Sequence, residues 1–210
     1  MKPPLYIQRR VTLKHRTLYV DGKALFTGAP DLAASDFLLE LYRFLSLSYP
    51  RFFKMDALSK TLFLTSEALL AGSGIPLAEG DSTMGMVFYN GHSSLETDQQ
   101  FQATIQSDHF FPSPSLFICT LPNVALGELA IRNRFMGENV TFIAPNFDAE
   151  GCVAYVESLF WEELYSHVLC GWFDYITEEA EADIFLISKE LTNKTFHIDN
   201  LKDYIYGSNH

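Results

Sequence analysis

Ser113-Pro114-Ser115-Leu116-Phe117, Thr120-Leu121-Pro122-Asn123, Gly127-Glu128, Gly137-Glu138-Asn139 and Cys170-Gly171-Trp172-Phe173-Asp174 follow one another in that order between Pro112 and Asp174. Spacing carries more information here than any single residue. Asn139 to Ala144 is an apolar run of strand length, Pro145-Asn146-Phe147-Asp148 is a turn, and from Asp148 the residues Val153, Val156, Phe160 and Leu164 recur at helical spacing. A strand, a short turn and a helix therefore stand in series. Asn146 lies in the turn, nine residues after Gly137 and twenty-four before Cys170.

Working outward, residues 31 to 47 place Phe37, Leu38, Leu41, Phe44 and Leu45 on one helical stripe, with Asp31 as the expected N-cap and Pro50 as the stop. A second helix begins near Asp56, carries Leu58, Leu62, Leu69 and Leu70, and ends at Gly72 or Gly74. Thr83 to Tyr89 reads as a strand, Gly91 to Ser94 as a loop and Asp98 to Ile105 as a short helix. Pro112 and Pro114 interrupt regular structure. Pro122 to Phe135 is the next helix, with Pro122 in its first turn. His167 to Trp172 and Asp183 to Ser188 are strands, separated by an acidic turn holding Glu178, Glu179 and Glu181. Alternating strands and helices predict an α/β fold, a mixed sheet with helices packed on it. The length of 210 residues and a hydrophobic content of 48% fit one domain spanning 1–210.

The frame from Pro112 to Asp174 resembles the N-terminal half of a beta-ketoacyl synthase, a condensing enzyme of the thiolase fold. Tyr49-Pro50-Arg51-Phe52-Phe53-Lys54-Met55-Asp56 and the helix after it extend the likeness over roughly residues 50 to 175, while the first 45 residues match loosely. In that family the position of Asn146 holds the nucleophilic Cys, at a helix N-terminus whose dipole favours thiolate. A second half supplies two His, and the resemblance leaves no room for it before His210. An asparagine amide is not basic and forms no stable acyl intermediate. The resemblance therefore implies no catalytic residue of its own, with Asn146 a vestigial nucleophile position, either a pocket wall or a plain turn or cap. Noncatalytic chain-length-factor subunits carry a different amide, Gln, there. Cys152 is the alternative nucleophile, but it lies six residues on, about 9 Å along an ideal helix. Cys170 corresponds to a small residue at a strand end. Phe117, Leu121, Asn123 and Gly127 match a family segment near the dimer and acyl-channel region. Their other reading is helix packing, with Gly127 allowing close approach.

Composition narrows the partners. A formal net charge of −11 repels polyanions, so nucleic acid is not expected. No apolar run spans a bilayer, and Met1 to Arg10 lacks the apolar centre of a secretory signal, so no membrane is expected and a cytoplasmic location is. Cys119, Cys152 and Cys170 read as reduced thiols. His92, His109 and His167 show no metal-binding spacing, so neither metal nor cofactor is expected. His92 has Ser93 and Asp98 as candidate partners in its loop. Residues 1 to 60 hold ten Lys or Arg against five Asp or Glu, and the rest hold five against twenty-one. The basic segment Arg9, Arg10, Lys14 and Arg16 would suit an acidic carrier protein, or is an ordinary solvated face.

A lone half of a two-sheet fold leaves apolar surface uncovered, and 18 Phe and 10 Tyr can supply it. A homo- or hetero-oligomer is therefore expected. The leading reading is a noncatalytic ketosynthase-like protein that associates with a ketosynthase subunit or an acyl carrier protein in fatty-acid-like or polyketide-like biosynthesis. The alternatives are an acyltransferase or condensing enzyme completed by a partner chain or using Cys152, and a binder of acyl or aromatic ligands.

Overall fold

The computed structural model describes residues 4–75, 82–105, 111–161 and 163–206. The chain opens with a three-stranded meander, β1 (Tyr6–Lys14), β2 (Thr17–Val20) and β3 (Lys23–Thr27), then α1 (Ala34–Phe44), a 3-10 turn (Pro50–Lys54) and α2 (Ala57–Leu70). There follow β4 (Met84–Asn90), α3 (Leu95–Ala103), α4 (Pro114–Ile118), α5 (Val124–Asn133), β5 (Asn139–Ile143) and α6 (Ala149–Trp161). The hairpin β6 (His167–Ile176) and β7 (Glu179–Ser188) precedes α7 (Ile198–Tyr206). All seven strands form one sheet in the order β3-β2-β1-β7-β6-β4-β5. β4 runs parallel to β5 and β6, and the other neighbours are antiparallel.

The central strands are buried on both faces, which is why β4 reads as an unbroken apolar run. On one face Met84, Met86, Phe88, Leu169, Phe173, Ile184 and Leu186 pack under α1, α2 and α5. On the other, Val87, Tyr89, Val168, Cys170, Phe185 and Ile187 pack under α6 and α7. Two glycines of the sequence frame are fixed by backbone approach. A Cβ at Gly137 would stand 2.3 Å from the Met84 carbonyl oxygen. One at Gly171, where φ is +142°, would stand 2.1 Å from that of Asp183.

Several expected boundaries move. Asp31 does not cap α1. Glu178, from the β6–β7 turn, accepts the Ala34 N–H at 2.9 Å instead, a cap that arrives from 144 residues away. Phe44 leaves the inward stripe and packs on the Phe26 ring, centroids 4.9 Å apart. Pro50 opens the 3-10 turn rather than ending a helix, and Pro122 precedes α5 by two residues. Pro114 starts α4. Asp56 caps α2 as expected, accepting Ser59 N–H at 2.9 Å. The acidic turn contracts to Thr177 and Glu178, both at positive φ as a two-residue type I′ hairpin requires, and Glu179 and Glu181 lie on β7. His109 lies outside the described residues.

The basic N-terminal segment is largely engaged within the chain. Arg10 meets Asp183 at 2.6 Å and donates to the Tyr204 carbonyl at 2.7 Å, its guanidinium 4.5 Å from the Tyr204 ring. Burial raises the Asp183 pKa even against that cation. Arg9 donates to Ala71 O and faces Asp21, and Arg16 donates to the carbonyls of Leu32 and Glu178. These guanidiniums tie β1 and its turn to distant parts of the chain, so the surface expected to greet an acidic partner is mostly internal bracing.

Candidate functional site

The β5–α6 turn has the expected order of strand, turn and helix. Ala144 N–H donates to Asn90 O at 3.0 Å, which holds the turn against the end of β4. Asp148 caps the helix, accepting Gly151 N–H at 2.9 Å. Asn146 is therefore neither the cap nor part of the helix. It is an exposed turn residue whose side chain makes no hydrogen bond among the described residues. Phe147 turns inward on the Tyr89 ring. Tyr155 anchors the helix by donating to Glu138, and its own pKa is pushed up to about 12, chiefly by that bond.

Cys152 points the wrong way for a nucleophile. It is fully buried in the first turns of α6, where Cys170, also fully buried, is its hydrogen-bonded neighbour. Burial first, and the adjoining thiol second, hold Cys170 well above the ordinary thiol pKa. Burial likewise raises Cys119. Each of the three thiols thus lacks the exposed, electropositive setting that makes a cysteine reactive. Cys170 fills the small space expected of it.

The residues matched to the dimer and channel segment behave differently. Phe117, Ile118 and Leu121 are 61%, 64% and 58% exposed, and Phe53 on the neighbouring 3-10 turn is 63% exposed. Asn123 is exposed beside the start of α5. Gly127 does not permit a close approach within the chain, since a Cβ there would meet nothing within 4 Å. Ile131 on α5 and Met136 after it are also exposed, whereas Ile143, exposed at the end of β5, lies with Ala154 and Ser158 of α6 along a shallow pocket. Among the described residues β5 is an edge strand, paired on one side. Beside α4 a cavity of about 810 Å³ is walled by Met55, Leu58, Leu116, Ile118, Val124 and Tyr175, and Lys54 and Lys60 also line it. Arg51 pairs there with Glu128 at 2.5 Å, and burial lowers the Lys60 pKa. By contrast the outer face of α6 is Glu150, Ala154 and Ser158, polar or small until Trp161 at its end.

His92 finds a partner that the sequence reading missed. Its Nδ1 lies 2.6 Å from Asp174 Oδ2, not beside Ser93 or Asp98. The β4–β6 register, with Tyr89 opposite Trp172, carries the two together across 82 residues of sequence. Among the described residues no three His, Cys, Asp or Glu side chains gather as metal ligands would, and no helix is long and apolar enough to cross a membrane.

No family model matches the sequence, and no curated protein matches it. Solved structures do match the fold. A structure described as the ishigamide ketosynthase/chain length factor aligns over 91% of this chain and 64% of that chain, at a TM-score of 0.64 and 16% identity. A type II polyketide-synthase acyl-carrier protein in complex with its ketosynthase aligns over 90% and 63%, at 0.60 and 11%. A beta-ketoacyl synthase from Burkholderia phymatum aligns over 90% and 59%, at 0.63 and 9%. The chain spans less than two thirds of the length of each of these three matches. What they share with it is the thiolase-type fold of ketosynthases, so the expected mixed sheet with packed helices is present.

Proposed function

We propose that this chain is a ketosynthase-like subunit that does not itself carry out thiol-dependent condensation and that associates with a ketosynthase in fatty-acid-like or polyketide-like biosynthesis. The observation that carries this reading is the β5–α6 turn. It keeps the strand, the capped helix and the spacing, yet presents an exposed Asn146 where a thiolate would be needed and keeps Cys152 buried on the far side of the helix wall.

Two features support association. An unpaired strand edge is a template for a second chain, and β5 provides one beside Ile143. The exposed apolar residues of α4 and α5, Phe117, Ile118 and Ile131, supply apolar surface for a second chain to cover. The matched structures include a ketosynthase with a chain length factor and a ketosynthase with its carrier protein, which makes both classes reasonable partners here. For an acidic carrier, the cations in place are Arg51, Lys54 and Lys60 around the cavity rather than the N-terminal arginines.

The reading is tested by mixing the chain with a ketosynthase of its own organism and measuring association by sedimentation velocity. A heterocomplex at micromolar concentration is expected. A chain that stays monomeric alone and with both a ketosynthase and a carrier protein would overturn it.

A further inference from the structure

The carboxyl end of β4 holds a hydrogen-bond network for which subunit association has no use. Asp174 receives the His92 Nδ1 bond at 2.6 Å, the Tyr175 N–H at 2.9 Å and the Asn90 Nδ2–H at 3.2 Å. Asn90 is fully buried, also donates to the Phe173 carbonyl at 2.8 Å, and accepts the Ser93 N–H. That last bond holds Ser93 in a left-handed conformation, φ +55°, and so sets the direction in which His92 leaves the loop. Gly91 is required beside it, because a Cβ there would stand 2.9 Å from both Asp174 Oδ2 and the Trp172 ring.

This arrangement fixes a tautomer. An ionised carboxylate only accepts, so the proton between Asp174 and His92 belongs to Nδ1, and in the neutral imidazole Nε2 carries the lone pair. The imidazole side chain is 47% exposed and the carboxylate beneath it 10% exposed. A buried, fully satisfied acid thus orients a solvent-facing base, the arrangement by which a carboxylate prepares a histidine for proton transfer. The other acids of the adjoining helix are engaged elsewhere: Glu96 accepts Thr177 N–H at 3.3 Å and Asp98 accepts the Ser94 hydroxyl at 3.1 Å. The loop sits at the carboxyl ends of the parallel strands β4, β5 and β6, the end at which open α/β sheets take ligands, and the Asn90 carbonyl ties it to the turn of Asn146.

We propose that His92 is a general base for water in the hydrolysis of an acyl thioester, with Asp174 as its positioning residue. The thioester as substrate class rests on the function proposed above, whereas the base itself rests on the geometry. The water O–H proton passes to Nε2 as the oxygen bonds to the carbonyl carbon. The carbon–sulfur bond then breaks, and the departing sulfur takes the proton back from the imidazolium. The products are a carboxylic acid and a thiol, with no protein nucleophile and no acyl-enzyme, as expected where the thiols are buried.

The test measures free-thiol release from S-octanoyl-N-acetylcysteamine by the full chain. The wild type should exceed an equal concentration of imidazole, with a rate that rises as pH increases and the imidazole loses its proton. His92→Gln should lower the rate about a hundredfold without changing the thermal midpoint, and His92→Gly should recover activity with added imidazole. Asp174→Asn should lower the rate and alter the pH profile. A wild type no faster than imidazole, or a His92→Gln variant at the wild-type rate, would overturn the proposal. Sedimentation of the same samples with the ketosynthase separates the two readings, since loss of hydrolysis with the complex intact removes only this one.

Discussion

The two sides of the sheet are built to different rules. On the α6 side the chain carries the strand, turn and capped helix that hold Asn146. Its helix is properly capped, its thiols are sealed in the core, and its outward face is Glu150, Ala154 and Ser158. On the α4–α5 side Phe117, Ile118, Leu121 and Ile131 stand in solvent, and Ile118 also lines a cavity with Met55, Leu58 and Val124. Exposed large apolar side chains are therefore present on this side, while on α6 they are confined to Trp161 at its end. A polar outer face on α6 gains nothing from burial, whereas four large apolar side chains do. The difference teaches that one sheet can bury its thiols under a polar-faced helix on one side and leave large apolar side chains exposed on the other.

The largest effect that would sharpen this contrast is in folding. Phe160→Ala, in the core under α6, should cost about 3–5 kcal/mol, while Leu121→Ala on the exposed side should stay within about 0.5 kcal/mol; urea unfolding of both variants compares them. Equal losses would mean that the exposed surface is part of the chain's own core.

The thiols come next. Cys119, Cys152 and Cys170 should be labelled by a thiol reagent in native protein at least about a hundredfold more slowly than after denaturation, because all three are buried away from the reagent. Rapid native labelling of Cys152 would restore it as a candidate nucleophile.

Association should then divide the two sides. Ile118→Asp or Leu121→Asp should weaken binding to the ketosynthase at least about tenfold, and Ser158→Asp on α6 should leave it unchanged, as read by surface plasmon resonance. The reverse pattern would move the interface to α6.

The smallest effect concerns Gly127. It lies inside α5 with open space around it, so Gly127→Ala should stabilise the isolated chain by up to about 1 kcal/mol through helix propensity. If a partner's backbone packs there, the same variant should bind the ketosynthase less well despite melting higher.

What the sequence disclosed and what it hid have physical reasons. Gly137, Gly171 and Asp56 were legible because each answers a local backbone demand: two close carbonyls and one orphan N–H. The meander β1–β3 was hidden, and β1 shows why. A bulge between Ile7 and Arg9 shifts the register, so Ile7 packs under α6 and α7 while Val11 and Leu13 pack under α1 and α2. Strict alternation therefore fails within the strand. Glu178 as the cap of α1, and Asp174 as the partner of His92, depend on strand pairing across more than eighty residues, which no window along the chain can contain. The turn position of Asn146 was legible from the sequence, but its exposure, the capping of α6 by Asp148 and the burial of Cys152 needed the helix's orientation.

The most direct test is intact mass spectrometry of the chain incubated with an acyl carrier protein thioester and the ketosynthase, under native and denaturing conditions. A complex with the ketosynthase in the native spectrum, and an unmodified chain mass in the denatured one, is the predicted result. An acyl adduct on this chain under denaturing conditions would contradict the account and place covalent chemistry back at the β5–α6 turn.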